Sequence, residues 1–277
     1  MARGGRSGTR RTRARWAPRL RRLSRRARRV ARRAGRGLRG LPPAGWALVA
    51  AVLFLAAHLA YQVARKPSEL VAAVAPSQAK MPEATWAEYG TLFLAHSTGV
   101  VAPELLAALA QAESAGDPLA TTYWEWRWSW NPLDLRGPAS SAVGLLQMTD
   151  GNFAEARRLC IHHHAVAREG AWWDPRACWF NALYFRTVPS HAIEMTSAWL
   201  DLSVSEALAR TRVPLATLED RRRLAAVVHL CGRERGASFA ARGFRVLPGE
   251  RCGSHDLARW LARVDAMRAT FARLAAR

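Results

Sequence analysis

The sequence contains no acidic residue before Glu69, and this absence separates a basic tail from a nearly neutral remainder. Residues 1–43 contain seventeen arginines, and with Arg65 and Lys66 the first 68 residues carry +19 of the formal net charge of +21. The rest has 23 basic and 21 acidic side chains. We therefore expect no nucleic-acid function in the folded part. The tail is either a solvated run that contacts anionic lipid or a segment that binds nucleic acid or a partner protein.

Long apolar runs are scarce, and the one that is present covers residues 44–63. It has no charged residue, and it is about as long as a helix that crosses roughly 30 Å of hydrocarbon. Trp46 and Tyr61 lie near its ends, where aromatic rings favour the membrane interface. We predict a retained single-pass anchor, with a cleaved signal peptide as the alternative. The arginine-rich flank predicts a cytoplasmic N-terminus, with the remaining chain on the far side of the membrane.

Cysteine is also scarce, and all four cysteines follow the apolar run. An even number in an exported domain favours disulfides, and four cysteines allow three pairings. The pairing between sequence neighbours, Cys160–Cys178 and Cys231–Cys252, is the simplest. Zinc binding is the alternative, although the sequence has no CxxC or HxxxH spacing.

Strand patterns are few, and no internal repeat is present, so we predict a mostly α fold. Residues 64–83 are expected to form a periplasmic spacer and residues 84–277 a helical domain. Apolar spacings of three and four predict helices from Thr85, and then in the segments Pro103–Ala112, Asn152–His164, Ala177–Arg186, Ala192–Leu208, Leu218–Leu230 and Leu257–Leu274. The residues Trp172, Trp173 and Trp179 are expected in the core.

One segment alternates with a period of two, from Tyr123 to Trp130. Its tryptophans would share one face if the chain is extended. Tyr123 and these tryptophans are candidates for glycan binding, because sugars stack their C–H faces on aromatic rings. A core beneath a long loop, or a patch that contacts a membrane or a partner, would produce the same pattern.

Glu113 ends the helix predicted before Gly116 and Pro118. A carboxyl group at the buried C-terminal end of an apolar helix lies in a low dielectric and near the negative end of the helix dipole. Both effects raise its pKa. A carboxylic acid that keeps its proton near neutral pH can protonate a glycosidic oxygen. On spacing alone, an ordinary surface glutamate is the stronger interpretation.

A second segment, Ser141–Met148, places Gly144 and Gln147 among apolar residues. Together with Leu105–Leu109 and the step Glu113–Ser114, this order and spacing resembles the soluble lytic transglycosylase domain. The third step of that family, an Ala-Tyr-Asn-like sequence on a late helix, is matched poorly by Val228–Gly232. His229 stands where tyrosine is usual.

The resemblance covers roughly residue 92 to the C-terminus, and it implies a lysozyme-like helical domain. It implies non-hydrolytic cleavage of the MurNAc-β-1,4-GlcNAc bond in peptidoglycan, with formation of 1,6-anhydro-MurNAc. Glu113 would act first as the acid and then as the base. Ser114, Gln147, Met148 and His229 would orient it or bind substrate, although His229 is equally compatible with a core residue. No metal or organic cofactor is implied.

Two alternatives remain for the activity. A hydrolytic muramidase would need a second carboxylate, for which Asp134, Asp150 and Glu194 are candidates. A catalytically silent peptidoglycan-binding scaffold is compatible with the altered third step. In each case the expected partners are glycan strands, the bacterial inner membrane through residues 44–63, and proteins of the envelope machinery.

Overall fold

The computed structural model describes residues 42–66, 68, 75–168, 170–171, 173–174, 177–211 and 215–277. The arginine-rich tail predicted for residues 1–43 lies outside the described residues, except for its last two positions. Part of the predicted spacer, residues 67 and 69–74, and Trp172 also lie outside them. The chain divides into two units, residues 1–61 and residues 62–277.

The described residues are mostly helical, which confirms the predicted class. The α-helices are α1 (Pro43–Arg65), α2 (Pro82–Ala95), α3 (Pro103–Ser114), α4 (Asp150–Ala156), α5 (Pro189–Thr211), α6 (Leu218–Cys231), α7 (Arg233–Ala241) and α8 (Leu257–Ala275). Short 3-10 turns cover Pro132–Asp134 and Trp179–Leu183. Three antiparallel hairpins are formed by β1 (Trp124–Trp126) with β2 (Arg136–Pro138), β3 (Leu159–His162) with β4 (Ala165–Arg168), and β5 (Arg251–Cys252) with β6 (His255–Asp256).

Helix α1 contains the predicted apolar run. Its 18-residue window has a mean hydropathy of 2.0, and 6% of that window is buried. It is long and apolar enough to cross a membrane, as expected from the sequence.

The second unit is built around α3, whose residues Leu105–Ala110 are completely buried. Helix α8 packs along α3, α2 covers another side of it, and α5 packs against α6 and α7. Proline in the first turn begins both α2 and α3, where its missing N–H group costs no helical hydrogen bond. Thr217 and Asp220 form a capping box that begins α6. This packing places the C-terminal end of α3 against α8.

Both disulfides join the sequence-neighbouring cysteines, which confirms the simplest of the three pairings. Cys160–Cys178 and Cys231–Cys252 each have a Cα–Cα distance of 5.3 Å, and together they use every cysteine of the chain. The second bond ties the end of α6 to β5.

Three predictions of local structure were wrong. The helix predicted at Asn152–His164 ends at Ala156, and a hairpin follows in which His163 and His164 have positive φ angles of 51° and 62°. The segment Ala177–Arg186 forms only a 3-10 turn, and α7 was missed. Trp173, expected in the core, is 71% exposed.

Candidate active site

Glu113 lies in the last turn of α3, directly after the buried stretch of that helix. Its side chain is 17% exposed. Burial raises the pKa of the Glu113 carboxyl to about 7, and the Arg263 charge and a hydrogen bond from Trp260 oppose that rise. Within the described part of the chain, Oε1 of Glu113 is buried and has no hydrogen-bond partner. A carboxyl with this pKa keeps its proton into the neutral range, as a general acid requires.

His229 of α6 is the nearest titratable neighbour of this carboxyl. Its Nε2 lies 3.8 Å from Glu113 Oε1, which is longer than a hydrogen bond, and its side chain is 8% exposed. Burial lowers the pKa of His229 to about 4. Both groups are therefore uncharged over most of the range between pH 4 and 7, and the contact is not an ion pair. The histidine that replaces the expected tyrosine does lie beside the acid.

Two further neighbours come from α8, and sequence reasoning missed both. The Trp260 indole N–H and the positive charge of Arg263, one helical turn further along α8, both act to lower the pKa of the Glu113 carboxyl. Trp260 is 2% exposed, whereas Arg263 is exposed. Both groups favour the carboxylate form, which offsets part of the burial effect.

Ser114 joins the two motifs that the sequence placed about thirty residues apart. Its hydroxyl is 2.7 Å from Leu145 O and 2.9 Å from Ala110 O, and it donates to these carbonyl oxygens. The end of α3 is therefore tied to the backbone of the second segment. The predicted role of Ser114, orienting Glu113 or contacting substrate, stays a prediction.

Gly144 allows the second segment, Ser141–Met148, to lie close to the backbone of Arg186. Its φ is +85°, and a Cβ atom there would lie 2.2 Å from the carbonyl oxygen of Arg186. The Arg186 side chain in turn donates to the carbonyl oxygens of Ser141 and Met148, and it pairs with Asp150 at 2.7 Å. A glycine is required here by both conformation and space.

We expect Gly144→Ala to lower the free energy of unfolding by roughly 2 kcal/mol more than Gly243→Ala, because overpacking adds to left-handed strain. Gly243 also has a positive φ, of +66°, but nothing lies within 4 Å of the position that an alanine methyl group would take there. Urea unfolding of the two variants measures the difference. If both variants lost the same free energy of unfolding, the backbone near Arg186 would have moved to admit the new methyl group without destabilising the fold.

Gln147 and Met148 are placed differently from each other. Gln147 has a positive φ of 44°, and its side-chain amide donates to Ala120 O at 3.0 Å and to Gly144 O at 2.9 Å. Its side chain thus fastens the second segment to the loop after α3. Met148 is 4% exposed and belongs to the core. The predicted contact of either residue with substrate stays a prediction.

An open cavity of about 520 Å³ adjoins the end of α3. Glu113 and Ser114 line it together with Asp117, the loop Leu119–Thr121 and the spacer residues Ala75–Ser77. Glu113 is therefore a lining residue of a cavity large enough for a small ligand group.

Asp117 is the other carboxylate among the described residues that line this cavity. Its Oδ2 accepts hydrogen bonds from the Gln78 backbone N–H at 2.9 Å and the Ser77 hydroxyl at 3.3 Å, and its Oδ1 accepts one from Leu119 N–H at 2.9 Å. Both oxygens therefore hold the loop and the spacer in place. Asp117 has the contacts of a structural carboxylate.

The three acids considered for a hydrolase also have structural partners. Asp134 pairs with Arg65 at 2.6 Å, and Asp150 pairs with Arg186. Glu194, 7% exposed, accepts hydrogen bonds from Ile161 N–H and the Tyr184 hydroxyl. None of these three lines the cavity beside Glu113, as far as the described residues show.

Tyr123 and the tryptophan run lie in and around the β1–β2 hairpin. Tyr123 is 67% exposed, and its backbone oxygen accepts from Ala139 N–H. The strand covers only Trp124–Trp126, so the extended conformation predicted for the whole run holds for its first part. The cavity lining extends to Thr121, and Tyr123 is not part of it.

Comparison with known proteins identifies no relative: no family matches the sequence, and no curated protein matches it.

Proposed function

We propose that the chain is a membrane-anchored lytic transglycosylase that cleaves the MurNAc-β-1,4-GlcNAc bond of peptidoglycan. The observation that supports this most strongly is Glu113, a largely buried carboxyl with a pKa of about 7 that lines an open cavity. The motif resemblance supplies the substrate class and the lysozyme-like fold, and the helical architecture is compatible with both.

The chemistry needs a single group that donates a proton and then takes one back. Protonated Glu113 gives its proton to the glycosidic oxygen as the bond from that oxygen to C1 breaks. The resulting carboxylate takes the proton from the muramic C6 hydroxyl, whose oxygen attacks C1 and closes the 1,6-anhydro ring. The substrate's own N-acetyl group assists at C1, so a second carboxylate is not required. The structural roles of Asp117, Asp134 and Asp150 agree with this scheme.

The apolar helix and the disulfides support the proposed compartment. We infer that α1 anchors the chain in the bacterial inner membrane, with the arginine-rich end in the cytoplasm and the second unit in the periplasm. Disulfides persist in that oxidising compartment. An anchor would confine cleavage to the wall near the membrane, where envelope-machinery proteins are candidate partners.

The proposal is tested by incubating the full-length protein in detergent with purified sacculi and analysing the released muropeptides by mass spectrometry. We expect 1,6-anhydro-muramic ends. Ordinary reducing ends would instead identify a hydrolytic muramidase, and binding to sacculi without any release would identify a silent scaffold.

The pH dependence of this activity should reflect the ionisation of the Glu113 carboxyl. Because the active form is protonated, we expect kcat/KM to fall as pH rises through about 7. Trp260→Phe removes the indole N–H that lowers the pKa of Glu113, so this fall should move to higher pH, by about one unit. A pH–rate profile measures the shift.

Trp199→Phe is the matched control for that substitution. Trp199 is also 2% exposed, and its indole N–H donates to a carboxylate, Glu155, at 3.0 Å. This variant should leave the alkaline fall where it is in the parent. A shift of equal size in both variants would mean that the profile reflects general loosening of the core.

A further inference from the structure

The β1–β2 hairpin, residues 124–138, exposes three indole rings. Trp126, Trp128 and Trp130 are 75%, 91% and 97% exposed, respectively. We call this segment the tryptophan hairpin. Soluble domains seldom leave such large apolar side chains in water, and a group of them marks a surface that contacts another phase or molecule.

The residues that end α1 hold the tryptophan hairpin in place. The Gln62 side-chain amide donates to Leu133 O at 2.7 Å and to Arg136 O at 3.1 Å. Arg65 pairs with Asp134 at 2.6 Å. These contacts lie within the second unit, and they join the hairpin to the point where the apolar helix ends. The hairpin therefore lies beside the last residues of α1.

The next residue, Lys66, fixes the base of the hairpin. Its amine donates to Thr122 Oγ1 at 3.3 Å and to Ser140 O at 3.0 Å. These two residues lie on the segments that precede β1 and follow β2. A flexible loop would be free to turn away from the membrane. The tryptophan hairpin is instead held by the contacts of Gln62 and Arg65 with its residues 133–136 and by the hydrogen bonds of Lys66 at its base.

The composition of this surface matches a lipid headgroup layer. Tryptophan is enriched at membrane interfaces because its ring is apolar and its N–H group is polar. The hairpin and the end of α1 contribute three exposed basic side chains, Arg65, Arg127 and Arg136, against two acidic ones, Glu125 and Asp134. Basic groups close to the surface attract anionic lipids. The Arg136 guanidinium also lies over the Trp126 ring, 5.5 Å from its centre.

Glycan is the rival occupant, since tryptophan also stacks on sugars. The cavity beside Glu113 contains no tryptophan among its described lining residues. The hairpin's own contacts join it to the end of α1.

We propose that the tryptophan hairpin is a membrane-interfacial element, which seats its indole rings among anionic lipid headgroups beside the end of α1. This inference rests on the anchoring part of the proposed function and is independent of the reaction. The folded unit would then be attached to the bilayer both by α1 and by the tryptophan hairpin.

The test uses the full chain in nanodiscs of phosphatidylethanolamine and phosphatidylglycerol. A nitroxide is placed by S129C between two of the exposed tryptophans, by S238C on an exposed position of α7, or by A56C in the middle of α1. Accessibility to oxygen and to a water-soluble nickel chelate is then measured by power saturation. At Ser129 we expect nickel accessibility several-fold lower than at Ser238, with higher oxygen accessibility. Replacing Trp126, Trp128 and Trp130 by serine should abolish that protection, whereas Trp173→Ser should not.

Each contrary result has a distinct meaning. Equal nickel accessibility at Ser129 and Ser238, with Ala56 protected, would overturn the interfacial role and leave the anchor intact. A nickel-accessible label at Ala56 would overturn the anchor and this inference with it, without affecting the test of the reaction on sacculi. Protection of Ser129 that requires added glycan fragments would overturn the inference in favour of a sugar-binding surface.

Discussion

Replacing Glu113 by glutamine is expected to abolish the release of 1,6-anhydro-muramic ends from sacculi. The same carboxyl would act as general acid and then as general base, and each such role contributes on the order of 10²–10⁴-fold in rate. We therefore expect a loss of at least roughly a thousandfold, by the same reasoning. Glutamine has the same shape and polarity but has no proton to transfer, so binding to sacculi should persist. Muropeptide release and sacculus binding are measured on the same samples.

Asp134→Asn and Asp150→Asn serve as controls for this loss. Both carboxylates are engaged with arginine and neither lines the cavity beside Glu113, so these variants should keep most of the activity. An equally inactive Asp134 or Asp150 variant, with reducing ends released by the parent, would instead establish a two-carboxylate hydrolase. Full activity in the Glu113 variant would remove this residue from the reaction.

Most of the long helices could be predicted from the sequence because their apolar faces repeat every three or four residues, and proline marks the start of α2 and α3. The failure at Asn152–His164 has a tertiary cause. There the chain leaves the helix after Ala156 and forms β3, whose Ile161 N–H donates to buried Glu194 and whose Cys160 is tied to Cys178. Local periodicity contains no information about either partner.

The candidate site likewise combines residues that belong to local sequence motifs with residues that only tertiary packing brings together. Glu113, Ser114 and Gly144 could be proposed from the sequence because their order and spacing resemble the motifs of one family, and for Gly144 there is also a direct conformational requirement. Trp260 and Arg263 could not, since a helical pattern shows which face of α8 is apolar but not that α3 is the helix it packs against. The pKa of Glu113 depends on these distant residues, so its value could be predicted only in direction.

The raised pKa of Glu113 also predicts that the residue destabilises the fold above acidic pH. The ordinary glutamate pKa of 4.5 applies to the unfolded chain, and the folded value is about 7. Between these values the folded state holds a proton that the unfolded state has lost. The contribution of Glu113 to the free energy of unfolding therefore falls as pH rises from about 4.5 to 7 and is constant above. At 1.36 kcal/mol per pKa unit, the full loss is roughly 3 kcal/mol.

Glu113→Gln removes this titration, so we expect the variant to match the parent at pH 4 and to be more stable by up to roughly 3 kcal/mol at pH 8. Urea unfolding at several pH values measures the difference. His229 titrates in both proteins, and to a first approximation its own effect cancels: its depressed pKa removes stability as pH falls from 6.5 towards 4. Glu234→Gln is the matched control, because that side chain is 88% exposed. A Glu113→Gln effect that is independent of pH would mean that the carboxyl titrates normally, and the acid role assigned to it would lose its physical basis.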